Sequence, residues 1–460
     1  MRVLLFISLT ISLHFAGAQE SRSLSLDDCI TYALDNNENL EIARLENDIA
    51  TTHINETLAR GLPQVNGSVG VVRNFDVQVN PFPDFLSPVV YRVLEEENLV
   101  PVVDREFGNI NAGFGTDYSG QAGLNARQLI FDGSYFVGLK AARTVKLLSQ
   151  REQKRTEVDI VENVSKAYYL VLVTTENLEF LGRNFATIDT LLRETTAMYE
   201  SGFAEKIDVS RIKIQHNNLL ASLKNNTDLL ITSLYLLKFQ MGMPVETPVS
   251  LSGNLSDINL TAVETGSENA LENRPEFAVL QTNRDLLDLN IQNYKSQYVP
   301  NIYANFNYGW TSGTRTFGDM TNFNNDTWFK YSNLGINLSI PIFDGLSKRS
   351  IIQRNKIQIL QVDQSIDQFK NNVEREVSTA RINVNNAIRN VESQNENVRL
   401  AEEVYDVSKI KYQEGLGSNF EVIQANTEFK EAQTNYLNAL YEAATAQIEL
   451  KKALGTLYKN

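Results

Sequence analysis

The chain has 460 residues and a formal net charge of −14, with 56 acidic against 42 basic side chains. This balance argues against nucleic acid as a partner, because a nucleic-acid surface needs clustered Lys and Arg. It favours a soluble surface whose copies repel one another. The single Cys excludes an internal disulfide, so an exported form of this chain is not held together by disulfides.

Residues 1–18 have the pattern of a secretory signal peptide. Arg2 precedes an apolar run from Val3 to Phe15, and the small residues that follow suit a cleavage site. An N-terminal membrane anchor is the alternative, but the run is too short to span a bilayer comfortably. No lipid anchor is indicated, because Cys29 lies well beyond the cleavage point. No later stretch approaches about 18 unbroken apolar residues, so we predict no transmembrane helix.

A helix over 26–58 and two strands over 64–80 and 110–127 are predicted next. In both strands apolar residues alternate with Asn, Gln, Ser and Asp, which indicates one apolar and one polar face. The intervening loop 81–108 contains four prolines and three consecutive glutamates. We interpret it as solvated surface, since loop length alone is weak evidence for a lid or a phage receptor.

After Ile130-Phe131-Asp132-Gly133 the apolar period changes from 2 to about 3.5, which predicts long helices with coiled-coil packing. A turn over 199–208 interrupts them. The helix after this turn carries Ile212 and His216 at heptad positions, so we interpret His216 as a packing residue. These elements complete a first structural repeat over 19–244.

The stretch 245–266 is rich in Pro, Ser, Asn and Gly and is predicted to link two halves. The second half, 267–460, repeats the first: a helix over 271–294, strands over 300–312 and 328–342, and a long helix over 347–411. A turn over 412–421 and a helix over 420–454 follow. Four aromatic residues at the strand ends predict a membrane-interface girdle. They are Trp310, Trp328, Phe329 and Tyr331.

The two halves share short motifs in the same order, which indicates an internal duplication. Tyr199-Glu200-Ser201-Gly202 corresponds to Tyr412-Gln413-Glu414-Gly415, and the Phe-Asp-Gly sequence at 131–133 recurs at 343–345. The predicted fold class is therefore α+β, with long coiled-coil helices and four strands per chain. Because both halves have the same order of elements, each half should contribute an equivalent strand pair and equivalent long helices to the fold.

The predicted strands exceed the about 9–11 residues that cross a bilayer as tilted β, and their polar faces suit a water-filled lumen. Four strands cannot close a barrel, and open edges in lipid cost several kcal/mol for each unpaired group. Two chains would give about eight strands, whose side chains fill the interior. Three chains leave a passage. An ordinary β-sandwich with one solvent-exposed face is the alternative. Strand length argues against it, because ordinary strands average only about 5–6 residues.

No catalytic or cofactor signature is present. The sequence has no G-x-x-x-x-G-K, H-E-x-x-H or C-x-x-C motif and no evident nucleophile-base pair. We therefore predict no enzyme, no cofactor and no metal site.

The signal peptide, duplicated strand pair, long helices and Tyr-x-x-Gly turns followed by Asp-Val or Glu-Val together resemble the TolC-like outer-membrane efflux proteins. The resemblance covers essentially the whole mature chain. It implies a homotrimer in outer-membrane lipid of a Gram-negative bacterium, with a 12-stranded barrel, a periplasmic helical tunnel, and a docked periplasmic adaptor and inner-membrane transporter.

The resemblance also implies roles for residues at the turns. Asp208 and Glu421 match acidic positions that ring the closed mouth, where six carboxylates would favour cations. Gln424 replaces a second acid of many members, and Gly417 replaces a gate-bracing Arg of some. Tyr412 matches a Tyr that ties the closed tip together. The turns carrying Gly202, Gly415 and Gly417 would receive the adaptor.

The residues themselves also admit simpler roles. An acid in a first helical turn stabilises the helix by about 0.3–1 kcal/mol, and a turn glycine allows positive φ. For the whole chain, a passive export duct competes with a trimeric coiled-coil adhesin on a β anchor. An adhesin would not need two duplicated strand pairs. The sequence does not separate drug efflux, metal efflux and protein secretion.

Overall fold

The computed structural model describes residues 23–113, 115–255, 269–322 and 326–458. The predicted signal peptide lies outside these ranges, as does the second half of the predicted linker. Within the described ranges, no helix combines the length and the hydropathy that a bilayer span requires.

The described chain packs as two compact units. The helical unit comprises the described residues up to Ala50 with those of 144–285 and 358–460, and the strand unit comprises those of 51–143 and 286–357. Each unit therefore combines residues from both predicted repeats.

The first predicted helix is two helices. β1 (Ser23–Leu24) precedes α1 (Leu26–Asn36) and α2 (Glu38–Ala59), so the single helix expected over 26–58 is wrong at Asn37. Asn37 is extended, its side-chain amide donates to the carbonyl of Gln240 at 2.8 Å, and its side-chain oxygen accepts the Asn39 N–H. These local bonds compete with the helical ones.

The two strands predicted over 64–80 and 110–127 are each interrupted. Asn74 ends the first ladder, because its N–H bonds the Asp117 carbonyl and its side-chain amide bonds the Thr116 carbonyl. Beyond that point a separate hairpin forms around the two borders of the predicted loop 81–108, and a short helix forms within that loop. The elements are β2 (Gln64–Arg73), β3 (Val79–Pro83), α3 (Ser87–Glu96), β4 (Asn109–Gly113) and β5 (Tyr118–Phe131).

The remaining elements alternate long helices with the second strand pair. The strand predicted over 328–342 ends earlier, at Ser339, ahead of Pro341, which has no N–H for a ladder bond. Within the described part of the linker, β6 pairs in parallel with β1. The elements are α4 (Gly133–Glu200), α5 (Lys206–Met241), β6 (Ser250–Leu251), α6 (Pro275–Ser296), β7 (Asn301–Thr314), α7 (Phe317–Thr321), β8 (Trp328–Ser339), α8 (Ser347–Gln413) and α9 (Asn419–Ala453).

Four antiparallel strands form the main sheet in the order β2-β5-β7-β8. Cross-strand partners share a face, so the register identifies the two faces. One row of partners is entirely asparagine, and the adjacent row on the other face is entirely apolar. The rows are Asn66, Asn125, Asn307 and Asn333, and Val65, Ala126, Phe306 and Leu334.

The four aromatic residues of the predicted girdle do not share a face. Trp310 and Trp328 lie on the apolar face, opposite Ala122 and Ser312. Phe329 and Tyr331 lie on the asparagine face, where the Tyr331 hydroxyl accepts a hydrogen bond from Gln121 at 3.0 Å. The four residues therefore divide between the two faces, because adjacent strand residues point to opposite faces.

The helical unit has an apolar core to which α1, α2, α4, α5, α8 and α9 contribute buried side chains. Its α9 face is rich in alanine, which allows close helix approach. Beside this core lies a charged cluster. Lys452 contacts Asp159 at 2.7 Å and Glu162 at 2.6 Å, and Arg274 contacts Glu376 at 2.6 Å. The Lys452 contacts join the C-terminal end of α9 to α4, and the Arg274 contact joins the residue before α6 to α8.

Candidate gate and docking site at the helix turns

The turn between α4 and α5 has the geometry of a Schellman motif. Gly202 has φ of +84°, its N–H donates to the Tyr199 carbonyl at 3.0 Å, and the Phe203 N–H donates to the Met198 carbonyl at 2.8 Å. These bonds satisfy carbonyls that the end of α4 leaves free. A left-handed residue is needed here, which explains the glycine.

The turn between α8 and α9 repeats this geometry. Gly415 has φ of +76°, its N–H donates to the Tyr412 carbonyl at 3.1 Å, and the Leu416 N–H donates to the Lys411 carbonyl at 2.8 Å. The two equivalent turns therefore end their helices in the same way.

Gly417 differs from the other two turn glycines. Its φ is not positive, so the prediction that this glycine allows a left-handed conformation is wrong. A Cβ at this position would lie 3.1 Å from the Cβ of Lys411 and 3.4 Å from Oε2 of Glu421. Close packing between the helix end and the next helix start accounts for the glycine.

Both acidic residues lie in first turns of helices. The N–H of Glu205 donates to a side-chain oxygen of Asp208 at 3.3 Å. At the second turn, Ser418 precedes α9, and its hydroxyl accepts the Glu421 N–H at 3.3 Å and donates to the Glu421 carboxylate at 3.3 Å. Each acid therefore stabilises a helix start within its own chain.

Gln424 bonds along its own helix. Its side-chain amide donates to the carboxylate of Glu428 at 2.8 Å, and its side chain is exposed.

Two hydrogen bonds join the elements that carry the turns. The Tyr412 hydroxyl lies 3.1 Å from the hydroxyl of Thr195, which has no exposed surface. The buried Asn419 donates from its side-chain amide to the backbone carbonyl of Asp208 at 3.0 Å. The first bond joins α8 to α4 and the second joins the start of α9 to the start of α5, so the two turns are held together.

An apolar cluster lies behind the turns and includes Ile188, Ile212, Val422 and Phe429. Tyr405 stacks on Phe429 with ring centroids 6.0 Å apart, and burial raises the pKa of Tyr405 to about 12. His216 packs with its ring centroid 4.8 Å from that of Phe185. Within the described ranges, no three His, Cys, Asp or Glu side chains are grouped so as to hold a metal ion.

Two large apolar side chains occupy equivalent positions directly after the turn glycines. Phe203 is 86% exposed and Leu416 is 81% exposed. Sequence reasoning missed both, although the repeat aligns them. It also missed Thr195 and Asn419, because nothing local distinguishes a buried hydroxyl or amide from a surface one.

Comparisons with known proteins agree with this architecture. The model of the family described as "Outer membrane efflux protein" matches residues 29–242 and 266–456. The outer membrane protein TolC of Vibrio cholerae serotype O1 is 23% identical over 362 residues, which cover 76% of this chain and 82% of that protein.

Solved structures show the same fold at low identity. CusC superposes with a TM-score of 0.73 at 17% identity, over 94% of this chain and 92% of that one. The Campylobacter jejuni outer membrane channel CmeC superposes with a TM-score of 0.73 at 15% identity, over 94% of this chain and 86% of that one. The predicted α+β fold class is confirmed, and the family match extends over most of both halves. The chain belongs to the outer membrane efflux protein family.

Proposed function

We propose that the chain is a passive exit duct in the outer membrane of a Gram-negative bacterium, built by three copies and serving a tripartite efflux or type I secretion system. The observation that carries the proposal is the sheet β2-β5-β7-β8. It has an apolar and an asparagine-rich face, and its edge strands have no outer partner among the described residues.

Exposure supports lipid as the neighbour of the apolar face. Val69 is 83% exposed, and Leu334 and Ile336 are each 74% exposed. A contiguous apolar patch of this kind is rare on a soluble monomer. Three copies would supply 12 strands, which avoids open edges in lipid and leaves a lumen lined by amides.

The gate of this duct lies at the two helix turns. Asp208 and Glu421 from three copies would place six carboxylates at one constriction, which favours cations. Replacing both by Asp208→Asn and Glu421→Gln should lower cation preference in planar-bilayer recordings. The pair Glu402→Gln and Glu403→Gln, on the exposed side of α8, removes the same charge elsewhere. Equal effects of the two pairs would contradict the gate.

The turns also form the docking surface for a periplasmic adaptor, with an inner-membrane transporter completing the assembly. Gly202, Gly415 and Gly417 shape the turns, and the exposed Phe203 and Leu416 offer apolar contacts. The relatives named efflux pump outer membrane proteins support this assignment. The duct performs no reaction, so the partner provides the energy.

Mass measurement tests the shared barrel. Light scattering of the detergent-extracted protein, with detergent mass subtracted, should give three chain masses. One chain mass would overturn the proposal, because four strands would keep open edges in lipid. In cells, deletion of the gene should increase sensitivity to toxic compounds or block secretion of one protein. No change in either assay would contradict the export function.

A further inference from the structure

The two edge strands of the sheet, β2 and β8, do not end in the same cross-strand row. Gln64, the first residue of β2, lies in one cross-strand row with Arg127, Asn305 and Gly335. β8 continues four residues beyond Gly335, to Ser339. β5 and β7 extend equally far, to Phe131 and Asn301, so β2 is four residues shorter than the other three strands at this border of the sheet. The extension of β8 has no neighbour on its outer side among the described residues.

We propose that this four-residue step sets the register between neighbouring copies: Lys330–Ser339 of one copy pairs antiparallel with Gln64–Arg73 of the next. Ser339 then faces Gln64, Asn337 faces Asn66, and Leu334 faces Val69. Every residue of β2 then has a partner, and the first residue of β2 faces the last residue of β8. The inference rests on the proposed shared barrel and specifies its interface.

The faces of the two strands agree with this register. A shift by an odd number of residues would place apolar side chains among the amides, so only even shifts are allowed. In the proposed register Leu338 faces Val65 and Leu334 faces Val69, which brings together exposed apolar side chains of both edges.

The same register extends the row of asparagines. Within one chain the Asn125 amide donates to Asn307 at 2.6 Å, and the Asn307 amide donates to Asn333 at 2.8 Å. Asn66 occupies the edge position of this row. Asn337 of the adjacent copy would lie beside Asn66, so that five amides follow one another across the interface. Asn and Gln ladders of this type add hydrogen bonds between strands.

Barrel geometry excludes steps of zero and two residues, and the coincidence of Gln64 with Ser339 favours a step of four over a step of six. Strands rise about 3.3 Å per residue and lie about 4.8 Å apart, so a four-residue step across four strands gives a tilt of about 35°. Membrane barrels have tilts of about 35–45°. By the same geometry, a step of zero residues would leave the strands untilted. A step of two residues would give a tilt of about 19°, and a step of six a tilt of about 46°.

One pair in this register brings like charges together, Lys330 and Arg73 at the loop end of the strands. Each already has an aromatic partner in its own chain. Lys330 Nζ lies 5.0 Å from the ring centroid of Tyr308, and the Arg73 guanidinium carbon lies 4.8 Å from that of Phe75. These cation–π contacts hold the two charges on separate rings.

Cysteine cross-linking of the full chain in outer membranes tests the register. The variant Asn66→Cys with Asn337→Cys should convert the one-chain band into a three-chain band on a non-reducing gel after mild oxidation. Matched controls combine Asn66→Cys with Asn333→Cys, Gly335→Cys or Ser339→Cys. In the proposed register the nearest control pairs are diagonal, with α-carbons about 7–8 Å apart, beyond the usual disulfide range. The wild-type chain controls for Cys29, which is buried.

The outcomes separate the register from the shared barrel. A three-chain band for a control pair but not for the 66/337 pair would overturn the register and leave the barrel. No cross-link in any pair, with a mass of three chains by light scattering, would also overturn the register alone. No cross-link with a mass of one chain would overturn both. A short thiol-reactive cross-linker, applied in parallel, removes dependence on disulfide strain.

Discussion

The hydroxyl of Tyr412 lies 3.1 Å from the hydroxyl of Thr195, and Thr195 has no exposed surface. Tyr412 belongs to the last turn of α8 and Thr195 to the last two turns of α4. The bond therefore joins the two long helices directly behind their turns, so separation of the two turns would have to break it.

Removing this bond should weaken the contact between the two turns, which closes the duct if the proposed gate lies there. Tyr412→Phe leaves the buried Thr195 hydroxyl without its partner, which costs about 1–2 kcal/mol. A change of about 1–2 kcal/mol shifts a two-state equilibrium about 5–30-fold, so we expect higher conductance in planar bilayers. Tyr199→Phe is the control, because Tyr199 is the repeat equivalent and is partly exposed. Equal conductance of the two variants would refute a role of the bond in closure.

Alanine in place of a turn glycine should lower the free energy of unfolding, whereas alanine in place of a glycine inside a helix should raise it. Gly415→Ala places a Cβ on a residue with φ of +76° and should lower the free energy of unfolding by about 1–2 kcal/mol. Gly182→Ala lies within α4 where a Cβ meets open space, and should raise it by about 0.5–1 kcal/mol. Thermal unfolding of both variants measures the difference. A stabilising Gly415→Ala would contradict the left-handed turn.

The charged cluster should depend on Lys452. Its ammonium contacts Asp159 and Glu162, and the Glu162 side chain is only 14% exposed. Lys452→Met leaves Glu162 with Lys166 as its remaining cation, so we expect a loss of about 1–3 kcal/mol. Lys451→Met, at the exposed neighbouring position, should change the stability by less than about 0.5 kcal/mol. Denaturant midpoints of the two variants provide the comparison, and similar midpoints would contradict the prediction.

Acid should weaken the same cluster. Burial raises the pKa of Glu162, but hydrogen bonds from Lys166 and Lys452 outweigh it and lower the pKa below its usual value. A depressed carboxylate pKa contributes stability that is fully present above the unfolded value of about 4.3 and is lost as pH falls through the folded value. The stability difference between wild type and Lys452→Met should therefore shrink below about pH 4. A difference that is constant from pH 7 to pH 3 would contradict this linkage.

The exposed turn residues should matter for export and not for folding. Phe203→Ser with Leu416→Ser alters side chains that are 86% and 81% exposed, so thermal stability should stay within about 0.5 kcal/mol of wild type. If the turns receive an adaptor, cells with this variant should be as sensitive to toxic compounds as deletion cells. Leu99→Ser, at an exposed residue of the strand unit, should behave like wild type. Wild-type resistance of the double variant would exclude these two contacts.

Periodicity and duplication were sufficient for much of the architecture. A period of 2 identified the sheet segments and their polar and apolar faces, and a period near 3.5 identified the long helices. The repeat identified both turns, because a turn glycine and an acid in the first helical turn affect the backbone only within a few residues of the chain. The interruptions at Asn37 and Asn74 were not visible, because side-chain bonds to distant carbonyls compete there with regular structure.

By itself, the sequence determined where the long helices, the main strand segments and the two turns lie, since those preferences depend on neighbours one to four residues away. Only the tertiary structure decided which faces and ends meet. It placed Tyr412 beside Thr195, moved Phe329 and Tyr331 to the asparagine face, and aligned four asparagines across four strands. It also produced the four-residue step between β2 and β8. These relationships depend on strand register and helix packing, which join residues far apart in the chain and leave no local pattern.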